Sequence, residues 1–433
     1  MMNLLGFGAT ALPGWLALKI EPRLIIKLTA SLKKNILVTG TNGKTTTTRL
    51  IASIFKEAGQ PFIHNRSGSN LLRGLASVLI KEANLKGKIL ARTWGLWEVD
   101  EAVFPLACEQ IKPQVVLIAN LFRDQLDRYG EIDKVAQSWH QALLKLPATS
   151  AVVLNADDAT VASLGKNLKS KVFYYGLAEE NWGRAEPDHA SDATLCPYCL
   201  QKLTYSLCFG GHMGNYSCPR CGQIQPKKHF ILKKTALKEV SEKLPGVYNL
   251  YNLAAANALT TALNFSEKQI IAGLKNFKPA FGRMEKVSLD HKTLHLFLVK
   301  NPTGFNEVIK TLTSHSLPKG VRRHLTCLIA INDLIADGTD VSWLWDVNFE
   351  SLIPYLKTVI VSGRRAYDMA LRLKYAQHPF GFKFYLQPQI KKALNQFLLY
   401  NEADLYVLPT YTAMLHIRKI LNQQGFVHSS WQD

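Results

Sequence analysis

The run GTNGKTTTT, from Gly40 to Thr48, follows directly on the apolar stretch Ile36-Leu37-Val38. A strand that delivers Gly-x-x-Gly-Lys-Thr into a helix makes a phosphate cradle. Gly40, Thr41, Asn42 and Gly43 let backbone N–H groups close around a pyrophosphate, and Lys44 reaches the outer phosphates. Thr45 offers a hydroxyl to Mg²⁺, with Thr46 behind it. The helix that opens at Lys44 adds its positive end. The motif is one residue shorter and richer in threonine than the usual phosphate loop. A glycine-rich turn before an ordinary surface lysine is the alternative reading, and the flanking strand and helix weigh against it.

From Asn35 to about Asn155 the chain alternates short apolar runs with helical patterns. Strands are expected at Ile36–Thr39, Lys88–Thr93, Val115–Ala119 and Ala151–Leu154, with helices at Thr45–Ala58 and Ile132–Leu144. This is the rhythm of a mostly parallel sheet covered on both faces. Helical patterning resumes at Tyr251–Leu263 and Glu267–Asn276. Past a boundary near Glu285, strand candidates at Leu294–Val299, His324–Ile331, Thr358–Val361 and Leu405–Leu408 alternate with helices at Asn306–His315, Arg365–Tyr375 and Ile390–Leu399. An α/β chain with two such domains suits its 433 residues.

The segment from about Glu179 to Lys228 breaks the rhythm and reads as an insert. Cys196-Pro-Tyr-Cys199 and Cys218-Pro-Arg-Cys221 are two C-x-x-C knuckles with eighteen residues between them. Two such pairs complete a tetrahedron of thiolates, the structural Zn²⁺ geometry. Gly222 follows the second knuckle, where a left-handed residue turns the backbone under the metal. Metal-free thiols and a redox dithiol remain alternatives. Four thiolates leave no open position, so the role is structural. Cys208 and His212 read as packing or surface residues, and Cys108 and Cys327 as buried thiols.

With 52 basic against 33 acidic residues the formal charge is +19, which favours anionic partners. The charge is dispersed, so nucleic acid is not indicated. The apolar stretch Leu4–Ile20 is interrupted by Pro13 and lacks the flanks of a signal peptide. It reads as a packed or amphipathic segment, with contact to the inner membrane face left open and a cytoplasmic location expected.

Other candidates follow strand-like runs. In Glu98-Val-Asp-Glu101, Glu98 suits a Mg²⁺ ligand opposite Thr45; a solvated acidic turn fits the same residues equally well. Arg123, Asp124, Asp127 and Arg128 crowd one loop, which reads as ligand-lining or as an ion-paired cap. Asn155-Ala-Asp-Asp158 follows another strand, and Asn249 and Asn252 sit on an alanine-rich helix. The stretch Asp333–Glu350 holds Trp343, Trp345, Asp337, Asp340 and Asp346, and suits an interface or site rim.

Taken together, these motifs resemble the Mur ligases of peptidoglycan synthesis, and among them the synthetase subunits of bacterial lipid II isoglutaminyl synthase. The resemblance spans nearly the whole chain. It implies an N-terminal segment at 1–34, a Mur ligase-like central ATP-binding domain at 35–285 with a four-Cys zinc ribbon at 190–228, and a smaller α/β C-terminal domain at 286–433. It implies that Gly40, Gly43, Lys44 and Thr45 hold ATP, that Glu98 holds Mg²⁺, and that Asn249 and Asn252 lie on the adenine side. Arg283, in Phe-Gly-Arg-Met-Glu, bridges toward phosphate, and Asn301-Pro302 sits at a ligase turn. Gln125 stands where the family usually has His. The short segment before the phosphate loop departs from ligases that carry a UDP-binding domain.

The implied reaction is ATP-dependent amidation of the D-glutamate α-carboxylate of lipid II, through an acyl phosphate, to D-isoglutamine. The resemblance further implies that ammonia comes from a class I glutamine amidotransferase partner, GatD, in a heterodimer. Asp346 would be the aspartate lent to that partner's Cys-His pair. A stand-alone amino-acid ligase acting on a UDP-linked precursor is the alternative, and a non-catalytic nucleotide-binding scaffold a more distant one.

Overall fold

The computed structural model describes residues 12–65, 70–84, 86–123, 132–178, 187, 191, 193–232, 240, 244, 246–277, 283–289, 291–313, 324–377 and 379–427. The chain divides into two compact units. One comprises residues 1–122 and 131–278, the other 123–130 and 279–433.

In the first unit the strands are β1 (Lys34–Thr39), β2 (Phe62–His64), β3 (Trp94–Glu98), β4 (Val115–Ile118), β5 (Ala151–Asn155), β6 (Lys171–Leu177), β7 (Thr204–Gly210), β8 (Met213–Ser217) and β9 (Phe230–Leu232). Seven of them form a sheet in the order β2-β3-β1-β4-β5-β6-β9, parallel throughout. Parallel strands need crossovers, so helices cover both faces and the central strands are apolar on both. β1 shows the result. Ile36 and Val38 pack with Leu50, Ile54 and Phe55 on one face, while Leu37 packs with Trp97, Val116 and Leu154 on the other. The helix Lys44–Glu57 buries Leu50, Ile51, Ile54 and Phe55, the face its sequence pattern marks.

The strand expected at Lys88–Thr93 is not there; the pairing strand is β3, immediately after it. Trp94, Leu96 and Glu98 match Lys34, Ile36 and Val38 in register, so the longer buried run wins over the short apolar pair Ile89-Leu90. The inserted segment leaves the sheet after β6 and returns to it as β9, with β7 and β8 forming a separate antiparallel hairpin.

The second unit contains β10 (Arg283–Leu289), β11 (Lys292–Phe297), β12 (Leu325–Ala330), β13 (Leu356–Ser362), β14 (Lys383–Leu386) and β15 (Asp404–Pro409). Their order is β10-β11-β15-β12-β13-β14. Only the β10–β11 pair is antiparallel. Helices Pro302–Thr313, Ala366–Ala376, Ile390–Phe397 and Tyr411–Gln423 accompany this sheet, with apolar clusters around Phe305 and Phe349 and around Leu394 and Ile417. Among the described residues no helix is long and apolar enough to cross a membrane.

One close approach fixes the helix that carries the phosphate loop. Gly273, on the helix Glu267–Lys275, lies so near the backbone of Ile54 that a Cβ would overlap it. Its carbonyl also accepts from Ser53 Oγ at 2.7 Å. Gly273→Ala is therefore expected to lower stability by about 1–3 kcal/mol through overpacking, read as a lower urea midpoint at unchanged m-value.

Candidate nucleotide and metal sites

β1 ends at Thr39 and the chain turns sharply. Gly40 has φ +142° and Gly43 φ +81°, values open to glycine and strained for other residues. A Cβ on Gly43 would also overlap the side-chain amide of Asn252. Glycine at both positions lets the loop turn tightly against Asn120 and Asn252, leaving its backbone free to face a phosphate. Lys44 then opens the helix with its side chain folded back under the loop. Its ammonium donates to Gly40 O (2.6 Å) and Thr41 O (3.2 Å), and pairs with Glu101 Oε2 at 2.8 Å. Both side chains of that pair are buried.

Thr45 Oγ1 donates at 2.9 Å to Oε1 of Glu98, the last residue of β3. Asn65 clamps Glu98 by its backbone: Asn65 Nδ2 donates to Glu98 O (2.8 Å), and Glu98 N donates to Asn65 Oδ1 (2.9 Å). A hydroxyl and a carboxylate held this close form a hard-oxygen donor pair suited to Mg²⁺, which takes few protein ligands and completes its shell with phosphate and water. The donor set fits that ion, and the glycine cradle fits a nucleotide phosphate.

The loop is pinned from two sides. Asn42 N donates to Asn120 Oδ1 (2.8 Å) while Asn120 Nδ2 donates to Asn42 O (3.0 Å). From the other side Thr47 Oγ1 donates to Asn252 Oδ1 (3.2 Å), and Asn252 Nδ2 donates to Asn249 Oδ1 (3.2 Å). Of the two asparagines expected on the adenine side, Asn252 lies against Gly43 and Thr47, with Asn249 behind it. Thr41 Oγ1 accepts from Phe122 N at 3.0 Å.

Behind this shoulder stand two buried acids. Asp158 accepts from Leu121 N (2.9 Å) and caps the short helix Ala159–Ser163. His212, at the β7–β8 turn, lies 3.3 Å from Asp158, both fully buried, with its ring 4.7 Å from that of Phe122. Asp157 pairs with Lys228 at 2.7 Å and accepts from Leu177 N, Tyr251 Oη and Gln225 Nε2. Burial pushes its carboxyl up, against the pull of Lys228. Sheet, alanine-rich helix and insert therefore meet on one carboxylate.

The four cysteines converge. Cys196 and Cys221 sulfurs lie 3.6 Å apart, Cys199 and Cys218 3.4 Å apart, and all four lie within 4.8 Å of one another. Sulfurs on a Zn–S tetrahedron sit about 3.8 Å apart at the usual bond length. The knuckles repeat one geometry. Leu200 N returns to Cys196 O, and Gly222 N to Cys218 O, each from a left-handed residue (φ +60° and +71°). The N–H of Cys221 points at Cys218 Sγ, which holds that thiol down to about 6. Cys208 and His212 are buried packing residues outside the cluster.

Two family models match the chain: the Mur ligase middle domain over residues 38–260 and the MurT ligase C-terminal domain over residues 298–414. The MurT subunit of the glutamine-hydrolysing lipid II isoglutaminyl synthase of Streptococcus pneumoniae is 30% identical over 99% of this chain and 95% of its own. The chain belongs to the MurT family of Mur ligases. The Staphylococcus aureus (strain COL) MurT subunit is 29% identical over 96% of this chain and 94% of its own. Among solved structures, a pseudomurein peptide ligase type C from Methanothermus fervidus superposes with TM-score 0.67 at 20% identity, over 90% of this chain and 79% of that one. MurF from Acinetobacter baumannii gives 0.61 at 16% identity, over 91% and 77%. These two show the shared fold. As a MurT family member the chain is a carbon–nitrogen ligase.

The MurT-type C-terminal domain carries Asp346 at the end of the 3₁₀ turn Ser342–Asp346. Arg372 fixes the turn by donating to Leu344 O, Val347 O and both oxygens of Glu350. Asn306 braces it by donating to Asp346 O and accepting from Asn348 N. The Asp346 carboxylate is paired with Arg123 and remains 31% exposed. Asp337 is buried and accepts from Leu334 N and Thr412 N, and exposed Asp340 accepts from Ser342 N. Trp345 is half exposed, its ring 5.3 Å from that of Tyr375.

Asp124, Gln125, Asp127, Arg128 and the side chain of Arg283 lie outside the described residues. Sequence reasoning missed the partners that make the loop work: Glu101 under Lys44, Asn65 behind Glu98, and the His212–Asp158 contact. Glu101 carried a signal, as the third carboxylate after β3. Asn65 and His212 carried none, because their value arises from distant strands meeting.

Two outcomes are expected. Gly43→Ala should weaken binding of a fluorescent ATP analogue about tenfold or more, from left-handed strain plus the clash with Asn252; unchanged affinity would remove the cradle. Protein purified without chelator should carry one zinc per chain by elemental analysis. Cys196→Ser should lose that metal and melt several degrees lower, since a closed site contributes folding energy.

Proposed function

We propose that this chain is the synthetase subunit that amidates the D-glutamate α-carboxylate of lipid II, using ATP and ammonia released by a glutaminase partner of the GatD type. The observation that carries the reading is the Thr45–Glu98 donor pair at 2.9 Å beside a glycine-built loop with Lys44 beneath it, in a chain similar to MurT subunits over nearly its full length.

A carboxylate is a poor electrophile because hydroxide is a poor leaving group. The substrate carboxylate attacks the γ-phosphorus of ATP, forming the acyl phosphate and releasing ADP. Ammonia then adds to the acyl carbon, phosphate departs, and a proton is lost to give the amide. Thr45 and Glu98 would hold Mg²⁺, which when bound would neutralise charge on the transferring phosphoryl group. Lys44 acts on the same charge from a desolvated position, where its effect is greatest. Arg283 is proposed to bridge toward the phosphates, and Asn249 and Asn252 to keep the loop shaped for the nucleotide.

The ammonia source supports a partner. Cys108 and Cys327 are buried, and burial pushes both thiols up, Cys327 to about 12. A thiol of that kind is a poor glutaminase nucleophile. Asp346, part-exposed beside Trp345, is proposed to orient a partner's histidine as the acid of a triad does. In that role it exchanges Arg123 for the imidazole.

The direct test is incubation with lipid II, ATP, Mg²⁺ and glutamine, with and without the partner, followed by mass analysis for acid-to-amide conversion. Conversion only when an amino acid and a UDP-linked precursor are supplied would favour a stand-alone ligase instead. Lys44→Ala should abolish amidation from either glutamine or ammonium. Asp346→Asn should lose about 10²-fold or more of glutamine-driven amidation while ammonium-driven amidation largely survives. Equal loss from both nitrogen sources would refute the lent aspartate.

A further inference from the structure

The helix Leu12–Ile20 has one face fixed and one face open. Gly14 lies against the helix Leu72–Glu82 so closely that a Cβ would overlap Arg73 O, and Gly14 N donates to Ser77 Oγ at 2.9 Å. The opposite side presents Trp15, Leu16 and Ile20, which are 42, 48 and 85% exposed. Single exposed apolar side chains are ordinary, but three on a nine-residue helix form a patch. The Lys19 ammonium sits 4.2 Å from the Trp15 ring centroid, on the same side of the helix.

Charge identifies the occupant. Between Leu12 and Lys34 the basic residues are Lys19, Arg23, Lys27, Lys33 and Lys34, against the single acid Glu21, which Lys27 already engages. A second copy docked symmetrically would bring two such basic segments together, which disfavours self-association. At about 1.5 Å per residue the helix is far too short to span a bilayer. An apolar face carrying a tryptophan, with Lys19 beside it in a segment of net positive charge, suits the headgroup boundary of an anionic membrane, where such helices lie in the plane.

We infer that Leu12–Ile20 is a membrane-surface anchor. Trp15, Leu16 and Ile20 enter the boundary between headgroups and acyl chains, and Lys19 and Arg23 meet lipid phosphates. This docking is independent of which carboxylate the enzyme amidates. It would place the ligase at the surface where any lipid-linked substrate is found.

The test is co-sedimentation of the full chain with vesicles of phosphatidylglycerol and phosphatidylcholine in equal parts, and with phosphatidylcholine alone. Binding is expected to the anionic vesicles and to fall with added salt. Trp15→Glu and Ile20→Glu should each reduce it about tenfold or more, and Lys19→Glu should weaken it and blunt the salt dependence. Unchanged thermal melting and ATP-analogue binding in these variants would show that the fold is intact. Failure of the wild-type chain to bind anionic vesicles overturns the inference, as does equal binding by Trp15→Glu and Ile20→Glu. A concentration-dependent dimer in sedimentation velocity that Trp15→Glu dissolves would also overturn it, assigning the face to a second copy. Because melting and nucleotide binding are read separately, loss of docking is distinguishable from loss of the ligase site.

Discussion

A buried ammonium governs the first unit. Lys44 sits beneath the phosphate loop out of reach of bulk water, and a charge so placed persists only if its donors are satisfied. Two loop carbonyls and Glu101 satisfy them. Glu101 is itself held, since Trp139 Nε1 donates to its carbonyl at 3.0 Å. The arrangement dictates much of the surroundings. Gly40 and Gly43 must take conformations that aim carbonyls inward, Asn120 and Asn252 must hold the loop in that shape, and the strands on either side must end level with it. The desolvation of Lys44 is therefore met by folding, before any nucleotide arrives, which is the condition for strong electrostatic stabilisation of a transferring phosphoryl group.

The two candidate ion sites differ as their chemistries require. The four sulfurs close on one another and leave no position for a substrate, so a metal there serves folding. Thr45 and Glu98 supply only two hard oxygens and leave the rest of a coordination shell to phosphate and water, which suits an ion that must travel with its nucleotide. In the second unit the turn that bears Asp346 is held rigidly by Arg372 and Asn306, yet its carboxylate stays accessible. A fixed backbone beneath a part-exposed carboxylate is what the role proposed for Asp346 requires.

The parts legible in the sequence were those whose signal is local. The phosphate loop, the helix behind it and the two cysteine knuckles each announce themselves within a few residues, because glycine at positive φ, helical periodicity and C-x-x-C spacing are short-range requirements. β3 was displaced from its expected place because Ile89-Leu90 imitates a strand start, and only pairing with β1 decides between them. β2 and β9 have three residues each, too few for any periodicity. Asn65 and Glu101 escaped because each acquires its role from a contact with a strand or helix far along the chain. His212 was expected to be a packing or a surface residue, and its burial decides for packing. Its contact with Asp158 could not be read from a turn in an inserted hairpin.

Asp157 and Asp158 are neighbours in sequence, yet they face different tasks. One roots the inserted module through Gln225 and Lys228. The other touches His212 on the hairpin and fixes Leu121 N, next to the Phe122 that holds Thr41. The hairpin's packing and the loop's shape are thus written into a single dipeptide. Where two binding events share such a strut, their free energies are reciprocal: whatever metal in the knuckles contributes to nucleotide affinity, nucleotide must return to metal affinity by the same factor.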